Sequence, residues 1–289
     1  MAENDIDRPV IGISFDGTGY GTDKTIWGGE ILISDWNGFL RAGHISPFMQ
    51  VGGDISSREG WRIAASMLSD ICHDKDEAIQ LAASLGLCSA KEYKLISAMA
   101  ERGINSVSST SAGRLFDAVS AVLGIRRVSS FEGDASAALM YKAMEYKDSL
   151  CHGNADTGMM SGKANGDAFP YSLTYKDDES IVLNTRELFR YMADEAAAGE
   201  DKGRLAFIFH SILADMIAAA ALSTSELTGI KTAALSGGVF QNTLLLGLVR
   251  GRLLASGMEV LLHSLIPPND GGIGLGQAVY AMKHIQTAM

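Results

Sequence analysis

The carboxyl-terminal third constrains the fold most, because from about Thr185 its apolar spacing switches repeatedly between the helical and the extended period. Helices are expected from about Thr185 and over Leu205–Leu222, then a strand at Lys231–Leu235 and a helix over Gln241–Ala255. A strand at Glu259–His263 and a helix over Ile273–His284 complete the series. Strands separated by helices cannot close as hairpins, so this order argues for parallel pairing with the helices laid over the sheet.

The amino-terminal part has a different grammar. Val10–Phe15, Ile26–Asp35 and Phe39–Ile45 read as short strands, the last two joined at Asn37-Gly38, a pair that tolerates the positive φ of a tight hairpin. Between the first two strands, Asp16–Gly21 reads as a glycine-rich loop able to approach a ligand closely. Apolar residues then recur at helical spacing at Ile63, Met67 and Ile71, at Ala78, Leu81 and Leu85, and from Leu115 to Leu123, which predicts a helical insertion over about 59–125. Residues 151–185 read as a loop excursion, polar and aperiodic over Cys151–Asp167, with strand-like pieces near Tyr171–Tyr175 and Ile181–Leu183. The sum is an α/β chain, 1–289, with a βββ meander, a helical insertion and then αβαβα. That is the ribonuclease H-like layout of the actin-like (ASKHA) ATPases, with one lobe in view and no internal repeat.

Composition excludes several functions. The chain carries 34 acidic against 24 basic residues, a formal charge of −10, which disfavours a protein that grips a phosphate backbone. Cys72, Cys88 and Cys151 are widely spaced, so neither a disulfide framework nor a zinc knuckle is written here, and a reducing, cytoplasmic setting is expected. Met1–Val10 is polar and acidic, unlike a secretory signal, and Leu205–Leu222 is interrupted by His210, Ser211 and Asp215, which suits a buried helix better than a membrane span.

Two strand-to-helix junctions are the best candidate sites. Ser236-Gly237-Gly238-Val239-Phe240-Gln241-Asn242 opens a helix where glycines let backbone approach a nucleotide at the helix N-terminus. At Asn269-Asp270-Gly271-Gly272, Asp270 reads either as a helix N-cap or, with Asp16, as half of an oxygen-rich corner for a metal ion or metal-bound phosphate. Ser108–Asp117 reads as a small-residue loop entering a helix, with Arg114 and Asp117 one turn apart as an exposed ion pair. Gly52-Gly53-Asp54 with Arg58, Trp61 and Arg62 reads as a turn or as an anion-facing edge. Gly158–Lys163 lacks the spacing and hydroxyl residue of a phosphate loop, no Gly-x-Ser-x-Gly elbow occurs, and the six histidines are scattered without a His-x-x-x-His pair.

In one order from about Val10 to Tyr280 stand Phe15-Asp16-Gly17-Thr18-Gly19-Tyr20-Gly21, Trp27-Gly28-Gly29-Glu30, Gly52-Gly53-Asp54 with Trp61-Arg62, and Ser111-Ala112-Gly113-Arg114-Leu115-Phe116-Asp117-Ala118-Val119. Phe131-Glu132-Gly133 and the two junction motifs follow. Together they closely resemble the carboxyl-terminal TsaD-like domain of the HypF carbamoyltransferases, which mature nickel-iron hydrogenases. The resemblance implies transfer of a carbamoyl group, through carbamoyl-adenylate made from ATP, to the carboxyl-terminal cysteine of a HypE-like acceptor protein. It implies Asp16 and Asp270 as catalytic residues holding a divalent metal (Mg, Fe or Zn), and Gly17, Gly19, Gly113, Asp117, Glu132, Gly237, Gly238 and Asn242 as nucleotide-binding.

Only ten residues precede Ile11, whereas the family's His-x-x-x-His metal motif lies just ahead of that strand. The acylphosphatase, zinc-finger and YrdC-like domains and the first TsaD-like lobe are likewise expected to be absent, leaving a fragment or one subunit of a split protein. A metal site lacking its histidines should bind weakly, and a cleft lacking one wall should hold nucleotide poorly. Apolar surface left bare is expected to drive self-association into a homo-oligomer. The competing expectation is a non-catalytic module that binds ATP or HypE without turnover; an unrelated ASKHA kinase is disfavoured because nothing marks a sugar site. Neither nucleic acid nor membrane is expected as a partner.

Overall fold

The computed structural model describes residues 1–152, 163–164, 167–168, 171–177 and 180–287. A nine-stranded sheet is built around β1 (Val10–Tyr20), whose Ile11, Ile13 and Phe15 are fully buried. On one side β1 pairs antiparallel with β2 (Ile26–Ser34), which pairs antiparallel with β3 (Phe39–Ile45), completing the meander. On its other side β1 pairs parallel with β10 (Thr232–Ser236), and β10 pairs parallel with β11 (Glu259–Leu261), as the helix–strand alternation requires. β9 (Ile181–Leu183) and β8 (Leu173–Tyr175) extend the sheet beyond β3.

The structure corrects the reading of the middle region. Residues 59–125 are not wholly helical: α1 (Gly60–Ile71), α2 (Lys75–Ser84), α3 (Ala90–Glu101) and α4 (Ala112–Val122) are interrupted by β5 (Ser106–Ser109), whose last two residues read in the sequence as the start of a loop. β5 pairs with β2 and with β4 (Phe48–Val51), a strand too short to stand out from its flanking turns. Helix α5 (Asp134–His152) also escaped the sequence reading, because its apolar residues do not segregate to one face. Within the excursion over 151–185, residues 153–162, 165–166, 169–170 and 178–179 lie outside the described residues, and the described ones include the two-residue strands β6 (Lys163–Ala164) and β7 (Asp167–Ala168) and the strands β8 and β9 near the expected places.

The carboxyl-terminal helices are α6 (Thr185–Ala197), α7 (Lys202–Thr228), α8 (Thr243–Ala255) and α9 (Ile273–Thr287). Every residue of α4 is buried, since it lies against β1 and also against α1, α5 and α6. α7 is apolar enough to cross a membrane, but 83% of its most apolar stretch is buried inside the protein, which is the environment of a core helix. α9 differs: Ile273, Tyr280, Met282 and Ile285 are exposed, Met282 by 61%.

Two close contacts set the site-bearing ends. The Gly237 N–H donates to the Pro268 carbonyl at 2.9 Å, and a Cβ on Gly237 would stand 2.1 Å from the Phe15 carbonyl oxygen at a φ of +100°. At the other end of the same junction, the Glu3 carboxylate accepts from the Leu265 N–H at 2.5 Å and from the Ser264 N–H and hydroxyl at 2.6 and 2.7 Å. These donors hold the Glu3 carboxyl down to about 2 and fasten the stretch that leads to Asp270. Gly237→Ala should therefore destabilise the chain by about 2–4 kcal/mol through steric overlap and backbone strain. Urea unfolding checks this, and a loss below about 0.5 kcal/mol, the ordinary range for surface substitutions, would show the contact to be slack.

Candidate functional site

A cleft of 540 Å³ opens where five segments converge. The sequence expected Asp16–Gly21 to leave the sheet as a loop; instead β1 runs on to Tyr20. Its register slips there, with four steps along β1 between Phe15 and Gly19 against two along β2 between Gly29 and Trp27. The slack takes Asp16, Gly17 and Thr18 out of the ladder, and all three line the cleft.

Opposite them stands the N-terminus of α4. Its cap, Ser111, accepts from the Arg114 N–H at 3.0 Å and donates to the Gly17 carbonyl at 2.6 Å, so one hydroxyl both closes the helix and ties it to β1. Gly113 permits that approach, since a Cβ there would stand 2.8 Å from the Gly17 Cα. The remaining walls come from Phe131–Gly133 with the first turn of α5, from Gly238–Asn242 at the head of α8, and from Asn269 and Asp270.

Of the residues expected to form the site, Asp16, Gly17, Gly113, Glu132, Gly238, Asn242 and Asp270 line this cleft. Gly19, Asp117 and Gly237 do not. Gly19 packs against the Trp27 backbone, and Gly237 is spent on the contact with Phe15. Asp117 lies buried on α4 beside Arg114, with their Nε and Oδ2 atoms 2.8 Å apart. The pair expected as an exposed one is thus a buried one, and its atoms sit off the angle of a good hydrogen bond. Arg114, weighed in the sequence only as an ion-pair partner, is also a wall of the cleft.

Burial raises the Asp117 carboxyl to about 6, against the opposing pull of the Arg114 guanidinium and a hydrogen bond from Ser136. His210 on α7 is another group the sequence passed over as structural. It is fully buried, and burial drops its imidazole to about 4, so it stays neutral. Its Nε2 lies 2.8 Å from the Asn242 amide nitrogen and its Nδ1 lies 2.7 Å from the Ala206 carbonyl. No local spacing could have announced it, because Asn242 is 32 residues further along the chain.

Asp270 was read either as an N-cap or as part of a metal corner. The capping is done by Asn269, whose side chain accepts from the Gly271 N–H at 3.1 Å, and the Asp270 side chain makes no cap hydrogen bond. Asp16 accepts from the Gly17 N–H at 2.7 Å. Among the described residues no three His, Cys, Asp or Glu side chains converge as a metal-ligating group. Two carboxylates on an open cleft fit a hard divalent cation that keeps most of its waters, and they do not make the closed nitrogen- or sulfur-rich set suited to zinc or iron.

Residues 12–277 match the family described as the second subdomain of the Kae1-like carbamoyltransferase domain. The chain is 35% identical over its whole length to a carbamoyltransferase HypF homolog of Cupriavidus necator, of which it covers 69%. It is 36% identical to carbamoyltransferase HypF of Rhodobacter capsulatus over 95% of its own length, spanning 32% of that relative. Among solved structures it is similar to full-length HypF in a phosphate- and nucleotide-bound form, with a TM-score of 0.82 and 32% identity over 99% of this chain and 34% of that one.

Because the Asp117 carboxyl is raised in the fold, its contribution to stability is complete below its unfolded value near 4 and is lost as the pH rises through about 6. Asp117→Asn, which cannot titrate, should flatten the fall in stability between pH 4.5 and 7 by about 1–3 kcal/mol. Urea unfolding at the two pH values reads the difference, and equal slopes in both proteins would contradict it.

Proposed function

The chain belongs to the HypF carbamoyltransferase family, and we propose that its cleft is the part of a carbamoyl-transfer site that holds the nucleotide end of carbamoyl-adenylate. The observation that carries this reading is the convergence of Asp16, Gly113, Gly238, Asn242 and Asp270, from four separate stretches of sequence, on one cleft beside the Arg114 guanidinium. The N-termini of α4 and α8 both stand at its wall, and backbone N–H groups at helix N-termini suit phosphate oxygens. A relative with the same fold is known in a phosphate- and nucleotide-bound form, which agrees with a nucleotide ligand for the family.

In this reading the acceptor is the carboxyl-terminal cysteine of a HypE-like protein. Its sulfur attacks the carbamoyl carbon, the bond from that carbon to the phosphate oxygen breaks, AMP leaves with the electron pair, and the thiol proton passes to solvent. Arg114 neutralises charge on the departing phosphate, and its fixed orientation from Asp117 spares the reorganisation that a free side chain would need. Asp16 and Asp270 would hold a divalent metal, which when bound supplies further positive charge beside the phosphate.

The chain spans about a third of the length of several relatives, 32–35%, and 69% of another. A complete cycle therefore draws on further HypF domains, including those that make the adenylate. In this reading the protein works in the cytoplasm, without a membrane or nucleic-acid partner, and the surplus of acidic residues supports the latter.

Calorimetric titration with Mg-ATP tests the assignment. Binding is expected, and Asp16→Asn and Gly238→Val, whose side chain would enter the cleft beside the Asp16 carboxylate, should each weaken it about tenfold or more. Binding untouched by both substitutions, or none at millimolar ATP, would overturn the assignment. The exposed apolar side of α9 is further proposed to pair two copies when no other lobe covers it. Light scattering at micromolar concentration should give a mass near twice 30.7 kDa, and a mass of 30.7 kDa would refute the pairing.

A further inference from the structure

His210, buried and facing a wall of the cleft, has no part in the reading above. Asn242 caps α8, accepting from the Leu245 N–H at 3.0 Å. A backbone N–H can only donate, so the side-chain atom facing Leu245 must be the amide oxygen, and the nitrogen must face inward. There it lies 2.8 Å from His210 Nε2. That contact needs an unprotonated Nε2, so the ring hydrogen sits on Nδ1 and donates to the Ala206 carbonyl at 2.7 Å. Phe116 and Phe209 pack edge-on to the imidazole with centroids at 5.3 and 5.7 Å, and turning the ring over would put carbon where each of its two nitrogens now makes a hydrogen bond. Phe116 is itself a wall of the cleft. Every polar atom in the chain Ala206–His210–Asn242–Leu245 thus has one admissible role.

We propose that His210 is the positioning residue that fixes the Asn242 amide, holding one of its N–H bonds inward and leaving the other to the nucleotide in the cleft. The proposal rests on the nucleotide reading of the cleft and adds to it a residue that touches no ligand. Without the imidazole acceptor, the inward N–H would be buried unpaired, and the amide would relieve that cost by turning away from both the cap and the cleft. The chemistry asked of position 210 is an apolar ring edge carrying a neutral acceptor at the right depth, which leucine lacks and glutamine can partly supply.

The experiment is a double-mutant cycle in Mg-ATP affinity, with unfolding midpoints recorded for each protein. His210→Leu and Asn242→Ala should each weaken binding about tenfold. The double variant should be no weaker than Asn242→Ala alone, and His210→Gln should recover much of the loss. Equal effects of His210→Leu with and without Asn242 would mean a general loosening of the core and would overturn the proposal. So would unchanged affinity in Asn242→Ala while Asp16→Asn abolishes binding, a result that leaves the nucleotide reading intact. If the unaltered protein binds no Mg-ATP, the nucleotide reading fails, and amide hydrogen exchange decides the positioning. Faster exchange at Leu245 in His210→Leu supports it, and unchanged exchange there refutes it.

Discussion

The parallel pairing of β1 with β10 is the constraint on which the rest depends. Ile11 to Ser14 lie alongside Ala233 to Ser236, so both strands run toward the same edge of the sheet. Open α/β sheets bind ligands at the carboxyl ends of their strands because there the backbone turns away and helix N-termini take its place. Here β1 delivers Asp16 to that edge, β10 delivers Gly238 and Asn242, and the stretch after β11 delivers Asp270. Move the register by one residue and the buried Ile11, Ile13 and Phe15 would exchange faces with their neighbours, dissolving core and site together.

Charge then gives the cleft its character. The walls carry the carboxylates of Asp16, Glu132 and Asp270 and the guanidinium of Arg114. An anionic ligand meets that surface favourably only where a cation bridges the carboxylates or where Arg114 and the two helix ends are close at hand. Arg114 is 8% exposed and shares its charge with Asp117, so the one strong positive group among the cleft's described residues is rigid rather than abundant. On the proposed nucleotide reading, such a site suits discrimination of phosphate geometry more than raw attraction.

The sequence made the meander and the αβαβα tail readable because Asn37-Gly38 and the alternation of period are local signals. β9 fell on its expected residues, and α7 proved longer than expected only because its polar ends lack the apolar signature. What stayed hidden was non-local. β4 and β5 are four-residue strands defined by each other, and the extension of β1 through Asp16–Gly19 depends on a slipped ladder with β2. In the site, glycine motifs marked segments that meet at the cleft but not their division of labour. Gly237 and Gly19 serve backbone packing, Asp117 serves Arg114, and the tie from His210 to Asn242 crosses 32 residues.

The ends of the sheet bear on how copies of this chain can meet. β11 and β8, the outermost strands of the main path, are three residues each. So short an edge offers an incoming strand little unpaired backbone to template on. Association by β-sheet extension, the route toward cross-β aggregates, is therefore blunted at both margins. At these two margins, contact between molecules is left to side chains.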